Sequence, residues 1–329
     1  MGEHFKEMDA APYLANRSQC PVLILNYNGW ADTIAGIAAM QPHIQNIWLI
    51  DNASPINRLA EVKQRFPNVR QLVMPENFGW AGAYNRAIAL ATAEGHSAVY
   101  LLNNDAIARS GAVEAALTTL LGSEDIAAVG SMMLDSAGTR AFFDGDWHWD
   151  RTVAAAPLRD DVREVRSLHG GGFALKLKAY GTVGPFFEGY FLYHEETDWC
   201  LRARAAGWRI MVDCSSRVEH EGEGSSTGSN RLYYIARNRF LAMRRGIQLR
   251  DREESNFSIV EYEFFEAASH DFAARVAITE GLIDGLLGHF GRRSDNRIPR
   301  IITFPLAFTV PLLIRLKRKI YDLLGSRMR

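Results

Sequence analysis

Pro21-Val-Leu-Ile-Leu-Asn-Tyr27 is a short apolar run closed by polar residues, and its reading decides the fold. It is apolar at consecutive rather than alternate positions, which suits a strand buried on both faces of a parallel sheet. The same grammar continues outward from it. Residues from about Trp30 to Met40 read as a helix, and Asn46 to Asp51 as a second strand ending in Asp-Asn-Ala-Ser. Pro55 to Phe66 reads as a helix, Val69 to Met74 as a third strand, and the Ala-rich stretch Gly79 to Ala93 as a helix. Ala98 to Leu102 is a fourth strand, ending in Asn-Asn-Asp. Alternating strands and helices predict an α/β fold, Rossmann-like, with a mostly parallel sheet flanked by helices.

The chain has 329 residues and is 47% hydrophobic, enough for one large or two moderate domains. A formal charge of −1 argues against a general nucleic-acid binder. Cys20, Cys200 and Cys214 form an odd, widely spaced set, which suggests a reduced cytosolic protein rather than a disulfide scaffold or a zinc site. Residues 1–19 are polar, with no apolar core of the signal-peptide kind. They read as an N-terminal extension, followed by a catalytic domain over 20–247 and a helical region over 248–329.

Ligands of open α/β sheets bind at the carboxyl ends of the strands. Polar residues collect there: Asn26 and Asn28, Asp51 and Asn52, Glu76 and Asn77, then Asn103, Asn104 and Asp105. Each alone is ordinary turn chemistry; four on one edge point to a binding site. Asn77-Phe-Gly-Trp-Ala-Gly82 opens a helix with two glycines, and a close backbone at a positive helix end suits a diphosphate. The spacing is not Gly-x-Gly-x-x-Gly, which gives a dinucleotide little support. Asp105 is a hard oxygen ligand suited to Mg²⁺ or Mn²⁺ bridging phosphates.

Phe187-Glu-Gly-Tyr-Phe-Leu-Tyr-His-Glu-Glu-Thr-Asp-Trp-Cys-Leu-Arg202 sets Glu195, Glu196 and Asp198 among aromatic residues. On a helix, Glu195, Asp198 and Arg202 share one face and Glu196 is rotated away from it. A carboxylate beside aromatic rings loses solvation, which raises its pKa toward values useful to a general base. An amphipathic helix with a solvated acidic face and an intrahelical ion pair is the bland alternative. Trp30, Trp80, Tyr190 and Trp199 likewise have two readings, stacking on a base or sugar and core packing, with packing the default.

Taken together, these stretches resemble the family 2 inverting glycosyltransferases of GT-A fold, especially their bacterial rhamnosyltransferase-like branch. The resemblance is carried by Leu25-Asn-Tyr-Asn-Gly29, Ile50-Asp-Asn-Ala-Ser54, Glu76 to Gly82 with Asn85, and Leu101-Leu-Asn-Asn-Asp105. It continues in Gly171-Gly-Phe-Ala-Leu175, the 187–202 stretch, Ala206-Gly-Trp208, Val218-Glu-His220 and Tyr233-Tyr-Ile-Ala-Arg-Asn-Arg239. It runs in order from about residue 20 to about 245. The resemblance implies that Tyr27, Asn28, Asp51 and Asn52 hold the donor nucleoside. It implies that Asn77, Gly79, Gly82 and Asn85 lie along the diphosphate and sugar, with Trp80, Asn103 and Asn104 also at the donor. Asp105 and His220 are implied to ligate the metal, and Glu196 to be the catalytic base; Tyr190, Asp198 and Trp199 are read toward the acceptor. The sequence departs from the family where Glu195-Glu196 replaces Glu-Asp, which keeps Glu195 as a rival base. Gly82-Ala-Tyr84, Ala87 and Phe187 also differ from the family pattern.

The implied reaction is a metal-dependent single displacement from a nucleoside diphosphate sugar to a hydroxyl of a glycan or lipid-linked acceptor in cell-surface polysaccharide synthesis. dTDP-rhamnose leads among donors, with UDP-sugars behind it. An esterase reading rests on His169-Gly-Gly-Gly172 and Gly224-Ser-Ser-Thr-Gly228, with Ser226 as nucleophile. The residues before that elbow, Glu219-His-Glu-Gly-Glu223, are too polar for the strand it requires. A scaffold that only binds sugar nucleotide is the non-enzymatic alternative. In the C-terminal third, Ile301 to Ile314 is uncharged, too short and too Pro-interrupted to span a bilayer easily, and flanked by Arg297, Arg300, Arg315, Lys317, Arg318 and Lys319. Peripheral contact with the inner face of the cytoplasmic membrane, and packing within the protein or in a homo-oligomer, are both open readings of it.

Overall fold

The computed structural model describes residues 20–134, 141–142, 161–220, 228–247, 271–293 and 301–310. They fall into two compact units. The first carries ten strands: β1 (Val22–Asn26), β2 (Ile47–Asp51), β3 (Arg70–Val73), β4 (Ala98–Asn103), β5 (Ala106–Ala108), β6 (Ile126–Leu134), β7 (Ala141–Phe142), β8 (Val162–Glu164), β9 (Gly172–Lys176) and β10 (Arg209–His220). The helices, numbered along the whole chain, are α1 (Trp30–Met40), α2 (Leu59–Arg65), α3 (Gly79–Ala93), α4 (Ala112–Leu121), α5 (Leu177–Val183), α6 (Glu195–Ala205), α7 (Ser229–Arg244), α8 (Phe272–Leu287) and a helical stretch over 301–310, α9.

The strands form one sheet in the order β3-β2-β1-β4-β9-β6-β10-β5, with β7 on β6 and β8 on β10. From β3 to β4 every pairing is parallel, as the consecutive apolar runs predict. Beyond β4 the sheet is mixed. Strand β9 is antiparallel to both β4 and β6, β6 and β10 are parallel, and β5 returns antiparallel on β10. Alternate residues of the inner strands, Val22 and Ile24, Ile47 and Leu49, Tyr100 and Leu102, pack in one core. Trp30, Ile34 and Ile37 of α1, Val62 of α2 and Leu117 and Leu120 of α4 cover them. Each fully buried Leu or Ile of this layer contributes about 1.5–3 kcal/mol.

Helix α2 starts later than the Pro55 the sequence suggests. Asn57 Oδ1 accepts from the Leu59 N–H at 2.9 Å, a local turn that holds the chain just ahead of the helix, whose N-cap position is Arg58.

The second unit takes in Gly79–Gly82, Phe186–Asp198 and the described residues after 225. The units therefore interleave along the chain, whereas the sequence reading places one boundary near 247. Within this unit α7 and α8 approach closely. A Cβ on Gly281 would lie 2.3 Å from the Tyr233 carbonyl oxygen, and one on Gly285 2.8 Å from that of Arg237. Ala236, Phe240, Ile278 and Leu282 fill the seam, and Val310 of α9 packs against it. Asp271 caps α8 by accepting from the Ala274 N–H at 2.8 Å.

Candidate active site

In the sheet unit, the polar strand ends form a connected edge. Asn26 is fully buried; its Oδ1 accepts from the Gly29 N–H and the Thr33 hydroxyl, both at 3.0 Å, which fixes the turn into α1. Its Nδ2 donates to Asp51 Oδ1 and Ser54 Oγ, both at 3.2 Å, tying the end of β1 to the loop after β2. Ser54 Oγ donates to Asp51 at 2.5 Å and accepts from the Asn28 N–H at 2.8 Å. Asn52 reaches the next loop: its Nδ2 donates to Asn77 Oδ1 at 2.9 Å and its Oδ1 accepts from the Phe78 N–H at 3.0 Å. Asp51 and Asn52 thus organise the edge from buried positions. Asn28 is exposed with φ 60°, and Tyr27 beside it is half-buried. Asn104 Nδ2 donates to the Gly29 carbonyl at 3.2 Å, and the approach is close enough that a Cβ on Gly29 would collide with it. Asn85 Oδ1 accepts from the Tyr180 hydroxyl at 2.6 Å. Arg86, which sequence reasoning passed over, stacks its guanidinium 3.6 Å from the Phe78 ring centroid on this edge.

Asp105 follows β4, and Ala106 next to it pairs with His220 across the β5–β10 ladder. That register brings His220 Nε2 to 3.3 Å from Asp105 Oδ1, with both side chains largely buried. His169 stands edge-on to His220, ring centroids 5.3 Å apart, and its Nδ1 accepts from the Gly171 N–H at 3.0 Å. Burial raises the Asp105 carboxyl, but the hydrogen bond and charge of His220 outweigh it and hold it below the usual carboxylate range. Burial, then the charge of His220, pushes the His169 imidazole down to about 4, so it is neutral near pH 7. The pair provides one hard oxygen and one imidazole nitrogen, donors that suit Mg²⁺ or Mn²⁺ when phosphate oxygens complete the shell. Among the described residues no group of three or more His, Cys, Asp or Glu side chains converges on a cation position.

The helical unit holds the two candidate bases. Glu195 and Glu196 open α6, directly after a strained loop in which Phe191, Tyr193 and His194 all have positive φ (66°, 69° and 79°). Glu195 is buried, and its Oε1 has no hydrogen-bond partner among the described residues. Burial first, then the adjacent Glu196 charge, pushes its carboxyl well above the usual range. Glu196 is half-buried. The loop is clasped from α7: Asn238 Nδ2 donates to the carbonyls of Tyr190, Leu192 and Tyr193 at 3.2, 2.7 and 2.9 Å, and Arg237 donates to that of Tyr190 at 2.5 Å. The Tyr233–Arg239 stretch is visible in the sequence, but this role is not, because its partners are backbone carbonyls.

Tyr190, Asp198 and Trp199, read toward an acceptor, are all completely buried. Tyr190 donates to Asp198 at 2.9 Å, Asp198 pairs with Arg245 at 3.1 Å, and the Trp199 indole donates to the Gly184 carbonyl at 2.9 Å. Their side chains serve packing, because a buried carboxylate and two large aromatic rings gain more from internal partners than from water. Arg202, expected to pair along α6, donates to the Val183 and Pro185 carbonyls at 2.9 and 2.8 Å. The glycine loop also has a close partner within the chain. Gly79 (φ 71°) permits a close backbone approach, but Phe191 makes it: the Trp80 N–H donates to the Phe191 carbonyl at 2.8 Å, and a Cβ on Gly79 would lie 2.2 Å from that oxygen. Trp80 and Gly82 are buried, with Trp80 edge-on to Phe186 at 5.0 Å. Trp30 is also a core residue, its indole donating to the Ile56 carbonyl at 2.5 Å. Ser226, residues 1–19 and residues 311–329 lie outside the described residues. His169-Gly-Gly-Gly172, the other half of the esterase reading, leads into β9.

The chain is 28% identical over 218 residues to an N-acetylglucosaminyl-diphospho-decaprenol L-rhamnosyltransferase of Mycobacterium tuberculosis, a match covering 58% of this chain and 71% of the relative. Its fold is similar to that of the mannosyltransferase PcManGT from Pyrobaculum calidifontis in complex with GDP-Man and Mn²⁺ (TM-score 0.52, 13% identity, 92% of this chain and 87% of that one). It is similar also to GalNAc-T7 with UDP, GalNAc and Mn²⁺ (TM-score 0.50, 15% identity, 66% of this chain), of which it spans 48%, about half the length. These likenesses fix the architecture as that of GT-A glycosyltransferases. The model of glycosyl transferase family 2 matches residues 22–201, more than half of the chain, so the protein belongs to glycosyl transferase family 2 and is a glycosyltransferase.

Proposed function

We propose that the chain transfers a sugar, rhamnose first among candidates, from a nucleoside diphosphate (dTDP- or UDP-) donor to a hydroxyl of a lipid-linked glycan in cell-surface polysaccharide synthesis, with inversion. The observation that carries this reading is the Asp105–His220 pair, 3.3 Å apart at the end of β10, where the register of β5 puts a hard anion beside an imidazole. Asp105 and His220 would hold a divalent cation, Mg²⁺ or Mn²⁺. When bound, such a cation stabilises the charge that develops on the departing diphosphate. Tyr27, Asn28, Asp51 and Asn52 are assigned to the nucleoside, and Asn77, Gly79, Trp80, Gly82, Asn85, Asn103 and Asn104 to the rest of the donor. Exposed Asn28 and half-buried Tyr27, Asn77, Asn85 and Asn103 are the members with surface left to touch it directly.

The acceptor oxygen attacks the anomeric carbon as the bond to the diphosphate oxygen breaks, and the hydroxyl proton passes to a carboxylate. Glu196 is assigned as that base. Support comes from its neighbour: burial, then the Glu196 charge, raises the Glu195 carboxyl well above the usual range, which leaves Glu196 the more readily ionised of the two. A lipid-linked acceptor is supported by the rhamnosyltransferase relative, whose name states a decaprenol-linked substrate.

The test is a donor panel scored for Mn²⁺- or Mg²⁺-dependent hydrolysis and transfer, with Mn²⁺ binding measured separately by calorimetry. D105N and H220A are expected to lose Mn²⁺ binding while keeping the fold. Full donor turnover in EDTA, or undiminished Mn²⁺ binding by D105N, overturns the assignment.

A further inference from the structure

The chain's charge is unevenly placed. Over residues 271–329 there are eleven basic and five acidic side chains, a balance of +6, in a chain whose total is −1. Inside this basic region sits α9, ten residues without a charge. Thr303 and Ala307 are buried, and Val310 packs on the α7–α8 seam, so one side of the helix is anchored. The other side presents Ile301, Ile302, Phe304, Leu306 and Phe308 to solvent, Ile301 82% and Phe308 59% exposed. Phe272, itself exposed, meets Phe304 edge-on at 5.4 Å and extends the apolar surface. Single exposed apolar residues are ordinary; five on one short uncharged helix are not.

We infer that this outward face of α9, within its basic surroundings, seats the chain on an anionic lipid bilayer. Among the described residues no helix is long and apolar enough to cross a membrane, so the helix lies in the interface rather than through it. The basic residues on both sides in sequence, Arg292, Arg297 and Arg300 before α9 and Arg315 to Lys319 after it, favour lipid headgroups of negative charge. The same charge disfavours a second copy as occupant, since two surfaces of +6 would repel. The inference rests on the lipid-linked acceptor proposed above, and explains how a chain with no described spanning helix meets such a substrate.

The experiment is flotation of the full chain with phosphatidylcholine vesicles, with and without phosphatidylglycerol, in the absence of donor and acceptor. Flotation on the anionic vesicles is expected, falling steeply with salt. I301S/F308S is expected to reduce partitioning at least about tenfold, since each removes a large apolar side chain from the interface. K317Q/R318Q/K319Q is expected to reduce it about fivefold per charge removed. Both variants alter solvent-facing or charged positions and should keep the wild-type melting temperature and metal-dependent donor hydrolysis. No flotation, flotation unchanged by I301S/F308S, or a dimer in solution that I301S/F308S dissociates would each overturn the inference. Because flotation needs no turnover, its failure is distinct from failure of the transferase reading, which donor hydrolysis reports.

Discussion

The side-chain amide of Asn238 donates to the Leu192 carbonyl at 2.7 Å, the shortest of its three bonds to the loop that precedes Glu195 and Glu196. Three non-glycine residues in that loop hold positive φ, a cost of about 1–3 kcal/mol each that surrounding bonds must offset. Asn238 is fully buried, so a lost bond is not replaced by water. N238A is expected to lower kcat at least about tenfold by loosening the start of α6, with donor KM little changed. N238D should fail as well, since a carboxylate has no hydrogens to donate to carbonyls. Steady-state kinetics with a thermal melt beside each variant checks this. A parallel loss in melting temperature with unchanged kcat would reduce the clasp to a structural role.

Glu196 and Glu195 separate in the same assay. E196Q is expected to lose transfer by about 10²–10⁴-fold while donor binding persists. E195Q, which replaces a carboxyl that burial and the Glu196 charge hold against ionisation by a neutral amide, should retain most activity. The reverse ranking would move the base to Glu195.

Much of the sheet unit was legible in the sequence. Strands β1, β2 and β4 are apolar runs stopped by Asn or Asp, β3 is a mixed run stopped by Pro, and α1 and α3 lie where the patterns place them. The reversal of β9 between β4 and β6 was not legible, because strand direction is set by tertiary pairing and leaves no local periodicity. Asp105 was legible as a candidate ligand from its place after a strand; His220 became a candidate only through the ordered resemblance, since the β5–β10 register that brings the two together is invisible locally. The burial of Tyr190, Asp198 and Trp199 was not legible for a related reason. Aromatic residues beside a carboxylate look alike in sequence whether they line a cleft or fill a core, and only burial tells them apart.

Glu195 also makes stability depend on pH. Its carboxyl is raised in the folded state, so the folded chain binds its proton more tightly than the unfolded chain does. The associated stability is therefore fully present below the unfolded value of 4.5 and is lost as pH rises through the folded one. E195Q removes this dependence. Urea unfolding at mildly acidic and mildly alkaline pH should show the variant gaining on the wild type as pH rises. Parallel curves would mean that Glu195 ionises in the fold without cost.

Arg245 is the expected weak point of the packing under α6. It is paired to the buried Asp198 at 3.1 Å, and its guanidinium lies 3.6 Å from the Phe187 ring centroid. Removing one partner of a buried pair leaves the other charged and desolvated, at about 3–5 kcal/mol. Because Arg245 keeps 27% of its side chain exposed and the Tyr190 hydroxyl still serves Asp198, R245A should fall at the low end, about 3 kcal/mol. The double change R245A/D198N restores a neutral interior and should recover part of that loss. Chemical denaturation of the two single variants and the double variant closes the cycle. Strictly additive losses would show that the pair contributes no coupling, and that Arg245 acts through its stacking on Phe187 alone.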